Sequence, residues 1–190
     1  MRRVVLAFAV LGAVGLGACS GGGSVLSNSQ TPQSVIVTVG APSNIARVLP
    51  GASLPISATG VTGAQNGVAG TNRFAWTAAL VTSGQYVANT GGQTKACAAI
   101  TYTPMGGAAA PYGTDFSIYI TIDPTNQSNI VFAAPTSIPL PAGAPVGSTI
   151  TTSYPYCVQV SATALNSSGQ STGATGTITV AVVNPLNPEQ

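Results

Sequence analysis

Charge is nearly missing from this sequence. Of 190 residues, five are Lys or Arg and three are Asp or Glu, and histidine does not occur. Each shortage removes a class of function. A nucleic-acid binder exchanges counterions for several Lys or Arg side chains. Beyond Arg2 and Arg3, this chain has only Arg47, Arg73 and Lys95, far apart in sequence. Without histidine the commonest general base and metal ligand are gone. Charged helix-surface residues are too few for amphipathic helices with i,i+4 ion pairs. The expectation is therefore no catalytic residue, no metal, no cofactor and no nucleic-acid partner.

Long hydrophobic runs are also scarce, with one exception at the start. Met1-Arg2-Arg3 precedes an apolar stretch from Val4 to Gly17. Positive charge followed by a short apolar core is the order of a secretory signal. The stretch is shorter than the roughly 20 residues a membrane-crossing helix needs. It ends Leu16-Gly17-Ala18-Cys19. This resembles the lipobox of bacterial lipoproteins. The resemblance implies cleavage before Cys19, a thioether to diacylglycerol on its sulfur and acylation of the new amine. Such chemistry needs a thiol, because the thiolate is the nucleophile. Ser20-Gly21-Gly22-Gly23-Ser24 follows at once, and Gly/Ser stretches behave as flexible tethers. Two or more acyl chains give stable anchoring. Ser20, not Asp, follows the cysteine, which by analogy with Gram-negative lipoproteins favours the outer membrane.

About 170 residues would remain after cleavage, enough for one domain with a real core. Their recurring pattern is alternation of period two, bounded by Gly, Pro, Asn and Ser. Val35, Val37 and Val39 alternate with Ile36 and Thr38. The same rhythm runs through Leu54–Ala58, Phe74–Ala78, Phe116–Ile122, Tyr156–Ala162 and Ile178–Val182. Phe116–Ile122 is the clearest strand by this criterion. Weaker strands are expected near 84–89, 96–103 and 129–133. Segments 104–114 and 134–147, rich in Pro, Gly and Ala, read as surface connections. No helix is expected after the signal. Seven to nine short strands with turn-rich links predict an all-β, antiparallel sandwich.

Several short motifs extend this reading. Gly51-Ala52-Ser53 opens one strand, and Phe74-Ala75-Trp76 another. Val131-Phe132-Ala133-Ala134-Pro135 ends a third. Val158-Gln159-Val160-Ser161-Ala162-Thr163 and Gly176-Thr177-Ile178-Thr179-Val180 form a closing pair. Together they resemble the bacterial Ig-like domains over roughly residues 34–183. The chain is larger, carrying roughly 50 residues beyond the usual Ig size between Trp76 and the last hairpin. The expected organisation is a signal peptide over 1–18, a lipidated tether over 19–33, an Ig-like sandwich with an insertion over 34–184 and a tail over 185–190.

Three cysteines occur. If Cys19 carries lipid, Cys97 and Cys157 are left as a pair, and an even pair in an exported protein predicts a disulfide. Alternation puts Cys157 on the Gln159 and Ser161 face, and Cys97 opposite Ile100 and Tyr102. Both thiols are thus expected to point away from the core, as a surface clip pinning the inserted region to the penultimate strand. A metal site would need further thiols or histidine.

Two patterns mimic active sites. Gly169-Gln170-Ser171-Thr172-Gly173 has the letters of a nucleophile elbow, but the elbow needs a strand-to-helix turn and a histidine. A hairpin loop is expected instead. Asp115 and Asp123 flank one expected strand, which sets them roughly 26 Å apart, against about 5–10 Å for a glycosidase pair. Asn126-Gln127-Ser128 and Asn166-Ser167-Ser168 match the glycosylation sequon and read as polar loops. Trp76 shares the Phe74 face and is expected in the core. Among Tyr102, Tyr112, Tyr119, Tyr154 and Tyr156, the pair Tyr119 and Tyr154 is the candidate ligand surface, Tyr119 because alternation turns it away from the Phe116-to-Ile122 stripe. The functional expectation is a membrane-anchored, non-catalytic envelope protein with a structural or adhesive role. The alternatives are a surface glycan-binding module and an accessory subunit of an export or surface assembly.

Overall fold

The computed structural model describes residues 34–40, 46–62, 67–68, 73–88 and 92–186. The signal, Cys19 and the tether lie outside these residues, as does the end of the tail from 187. Two sheets face each other. One holds β1 (Ser34–Val39), β3 (Ser53–Thr62), β11 (Asn129–Ala133) and β10 (Ile120–Ile122) in that order, with β4 (Gly67–Val68) added to the end of β3. The other runs β2 (Arg47–Val48), β14 (Ser171–Val182), β13 (Tyr156–Leu165), β5 (Phe74–Val81). All pairings in these two sheets are antiparallel except β2 beside β14. The first strand pairs in one sheet and its continuation in the other. With the crossovers, this is the strand order of an Ig-like Greek-key sandwich.

Alternation builds the core. Val35, Ile56, Phe74, Trp76, Val158, Val160, Phe132 and Val180 are buried between the sheets, while Ile36, Gln159 and Thr177 between them point to solvent. Trp76 is in the core, as expected. Its Nε1–H donates to the Gln127 carbonyl at 2.8 Å, linking β5 to the β10–β11 turn of the facing sheet. Trp76→Phe keeps most of the buried ring and removes that bond. It is expected to cost about 1–2 kcal/mol, read as a Tm drop of roughly 2–6 °C. An unchanged Tm would show the bond to be dispensable.

The larger size comes from two insertions, at 82–115 and 134–155. They form a hairpin of β6 (Gln85–Val87) and β7 (Thr94–Ala96), and a small sheet of β12 (Thr149–Thr151), β8 (Thr101–Thr103) and β9 (Ala110–Pro111). The two facing sheets hold nine strands, within the seven to nine expected, and these pieces bring the described strands to 14. Short strands such as β2, β9 and β12 have too few residues to show a period. The two connections are not wholly on the surface either: Tyr112, Ala134 and Ile138 are buried, and the Tyr112 hydroxyl donates to the Pro139 carbonyl at 2.9 Å.

One expected strand is corrected. Phe116–Ile122 is not continuous: Ser117–Tyr119 is a 3-10 turn, and only Ile120–Ile122 is strand. The chain here crosses between sheets. Before the turn, the Phe116 N–H donates to the Ala78 carbonyl on the β5 edge. After it, Ile120 pairs with Phe132 in the facing sheet. The Asp115 carboxylate accepts from the Ser117 N–H at 2.8 Å and steadies the bend. Ile118, on the expected core stripe, is 76% exposed.

Candidate functional site

The registers sort strand ends into two poles. Ser34, Val61, Phe74, Ala164 and Ser171 lie at one. Val39, Ser53, Val81, Ala133, Tyr156 and Val182 lie at the other, where both insertions begin. The sandwich therefore presents short turns at the Ser34 pole and a built-up structure at the insertion pole.

Cys97 and Cys157 are joined by a disulfide. Both sulfurs lie off the main core, on the outer side of the β13 sheet, but the surface clip is corrected in one respect. Cys157 is fully buried. Arg47, Ala181, Cys157 and Val81 form one row across β2, β14, β13 and β5. The β6–β7 hairpin covers this row, so that Tyr86 and Ala88 pack with Cys157, Ala181 and Val183 in a second apolar cluster. Burial raises the Tyr86 pKa, and the nearby Arg47 partly opposes that. Period two correctly turned Cys157 from the first core, but it carries no information about a second. Cys97 itself lies between strands, after β7, and not within a 96–103 strand.

Beyond the hairpin the outer face is smooth. Thr77, Ser161 and Thr177 form one row, and Ala75, Thr163 and Thr175 the next. No aromatic or charged side chain stands in either row.

The tyrosines gather at the insertion pole. Tyr119 was expected to face away from Phe116, and this is corrected: the 3-10 turn folds its ring against Phe116, centroids 5.2 Å apart. Tyr154 stacks obliquely on Tyr156 at 5.7 Å. Phe116 and Tyr156 are buried, whereas Tyr119 and Tyr154 are half-buried. Burial raises the Tyr156 pKa, and the phenols of Tyr154 and then Tyr119 add to the shift. Each candidate ring thus leans on a buried aromatic ring at the insertion pole, Tyr119 on Phe116 and Tyr154 on Tyr156.

A second tyrosine pair, Tyr102 and Tyr112, has centroids 5.9 Å apart. Ser148 organises its surroundings. It is the one buried polar residue among the described residues, and its Oγ accepts from the Tyr102 hydroxyl at 3.4 Å and the Met105 N–H at 3.3 Å. Sequence reasoning missed Ser148, since a serine in a Pro/Gly-rich segment looks like any loop serine.

The carboxylates serve turns. The Ser117 hydrogen bonds hold Asp115 below its usual pKa, and those from Thr125, with a weaker one from Asn126, do the same for Asp123. Residues 169–173 lie in the turn and opening of the β13–β14 hairpin, where Asn166 Oδ1 accepts from the Ser168 and Gln170 N–H groups. Asn126 plays the same part for Ser128. Among the described residues no three His, Cys, Asp or Glu lie close enough to hold a metal, and no helix is long and apolar enough to cross a membrane.

Comparison with family models, curated proteins and solved structures finds no match. The class of protein is therefore set by the fold: an Ig-like β-sandwich with a disulfide-pinned hairpin and a tyrosine-bearing cap.

Proposed function

We propose that this chain is a lipid-anchored, non-catalytic protein of the bacterial cell envelope, acting in structure or adhesion through the insertion pole. The observation that carries the reading is Leu16-Gly17-Ala18-Cys19 at the end of a short apolar run, followed at once by a Gly/Ser stretch. The likeness to bacterial Ig-like domains supports a binding or spacing role.

The geometry supports it too. Ser34 opens β1 at the pole opposite the insertions. A tether entering there would hold the cap away from the membrane by the length of the longer strands, roughly 30 Å. With Ser20 after the cysteine, the favoured site is the outer membrane of a Gram-negative cell.

Metabolic labelling with radioactive palmitate tests the anchor. The wild-type chain is expected to carry label and fractionate with membranes, and Cys19→Ala is expected to lose both. Equal labelling of the two would end this reading.

A further inference from the structure

We propose that two apolar loops at the insertion pole, residues 104–111 and 138–147, seat in the surface of a facing lipid bilayer, with Met105, Leu140 and Val146 entering its apolar boundary. This deepens the adhesive reading above and rests on its orientation, which puts the entry of the tether at the opposite pole.

The two loops form one tip. Thr103 ends β8 opposite Thr149 at the start of β12, so the loops leaving these positions lie side by side. The Met105 N–H donates to Ser148 Oγ at 3.3 Å. The Met105 thioether lies over Gly147, where a Cβ would come 2.9 Å from its sulfur. Two phenols brace the tip from below. The Tyr102 hydroxyl bonds Ser148 Oγ, and the Tyr112 hydroxyl donates to the Pro139 carbonyl. Little loop freedom then remains to be lost on binding.

The composition is unusual for surface loops. Neither segment holds a polar or charged side chain, although connecting segments normally run through water. Yet of the 18 residues only Ile138 is buried. Val146 is 92% exposed, Met105 66% and Leu140 46%. Single exposed apolar residues are ordinary, but a contiguous group marks an interaction surface.

What such a tip can bind follows from what it lacks. It offers a glycan, a phosphate or a polar peptide no side-chain hydrogen bond and no charge. Trp, Tyr and Arg, the usual anchors of protein interfaces, are absent from both loops. Side chains this exposed stand on a protrusion. A protrusion needs a shaped pocket in a protein but none in a fluid bilayer. The backbone suits a bilayer as well, because carrying free polar groups into an apolar medium is costly. Five of the 18 residues are prolines without an N–H, and the Met105, Gly107 and Ala144 N–H groups are already bonded to Ser148, Pro104 and Pro141. Shallow seating at the headgroup–acyl boundary leaves the rest to water and headgroups. Arg47, Lys95 and Asp115, the charges of this pole, lie on β2, on β7 and beside β5, outside both loops. Entry is thus driven by apolar area and not by attraction to anionic lipid.

The test reconstitutes the lipidated chain in phosphatidylcholine vesicles held on a surface and adds fluorescent, protein-free vesicles of the same lipid. Wild type is expected to capture them. Val146→Asp and Met105→Asp are each expected to cut capture by about tenfold or more. Both side chains are exposed, so an unchanged Tm is expected to accompany the loss. Val146→Leu keeps the apolar area and is expected to keep capture. Capture is expected to survive a rise in salt from about 0.1 to 1 M, over which the Debye length falls from roughly 10 to 3 Å, and to gain nothing from anionic lipid. No capture, capture only of vesicles that themselves carry the chain, capture that needs anionic lipid or fails at high salt, or capture indifferent to both Asp variants would overturn the proposal. A chain that incorporates palmitate yet captures nothing would lose this inference and keep the anchor. A chain without palmitate would lose the anchor, and the tip is then read from vesicle partition of wild type against Val146→Asp, equal partition overturning it.

Discussion

Gly176→Ala is expected to lower stability by about 3 kcal/mol, near the upper end of overpacking costs, and Tm by roughly 6–12 °C. Gly176 lies on the inward face of β14, beneath β1 of the other sheet. A methyl group there would run into the Val35 carbonyl oxygen, with the carbonyl carbon at 2.8 Å and Val35 Cβ at 3.1 Å. The obstacle is backbone, so no rotamer change relieves it. Elsewhere in a strand, replacing Gly by Ala gains roughly 0.5–1 kcal/mol from chain entropy, and here the clash decides the sign. β1 must move off β14, and Val35 and Val39 lose part of their burial. Thermal unfolding checks the magnitude, and hydrogen exchange of the β1 amides checks the location. Outward-facing Thr177→Ala, one residue on, is the control, expected to move Tm little. A Gly176→Ala protein as stable as wild type would show that the two sheets are not held this close.

Removing the disulfide by Cys97→Ala/Cys157→Ala is expected to cost about 4 kcal/mol in the chain-entropy account for a loop of this size, the bonded residues being 60 apart. The loss has a structural address. Tyr86, Ala88, Cys157, Ala181 and Val183 form a cluster separate from the main core. The sandwich is thus expected to stay folded while the hairpin loosens. Denaturant unfolding measures the first effect, and faster proteolysis confined to 83–96 measures the second. Stability within about 1 kcal/mol of wild type would show that the unfolded chain gains little freedom when the bond is absent.

The two experiments probe features that stood very differently in the sequence. The cysteine pair was legible by elimination, and so was the side of β13 on which Cys157 lies. Its burial was not, because alternation distinguishes two faces without saying what covers either. The hairpin that covers it is a three-residue ladder whose partner row comes from four other strands. Gly176 was legible only as part of a strand motif. Its purpose depends on Val35, which lies 141 positions earlier and is hydrogen-bonded to neither β13 nor β14.

The candidate surface shows the same division. Tyr119 and Tyr154 could be named in advance, Tyr119 because alternation turned it away from the Phe116-to-Ile122 stripe. The reason offered for Tyr119 failed: perfect alternation over Phe116–Ile122 accompanies a turn, because the chain there changes sheets. Hydrogen bonds to Ala78 on one side and pairing with Phe132 on the other override the local period.

What the sequence determined by itself was the strong strands other than Phe116–Ile122, their inward faces, the all-β class and the pairing of Cys97 with Cys157. Each follows from local rhythm or from counting. Only the tertiary structure decided that Cys157 lies beneath the β6–β7 hairpin, that Tyr119 and Tyr154 each lean on a buried aromatic ring at the insertion pole, and that the opposite pole is where β1 begins. Those are relations between segments far apart in the chain, set by which backbone edges pair and which apolar rows cover one another. In a chain with so few ionic groups, the two insertions are what give one end of the molecule its distinct character.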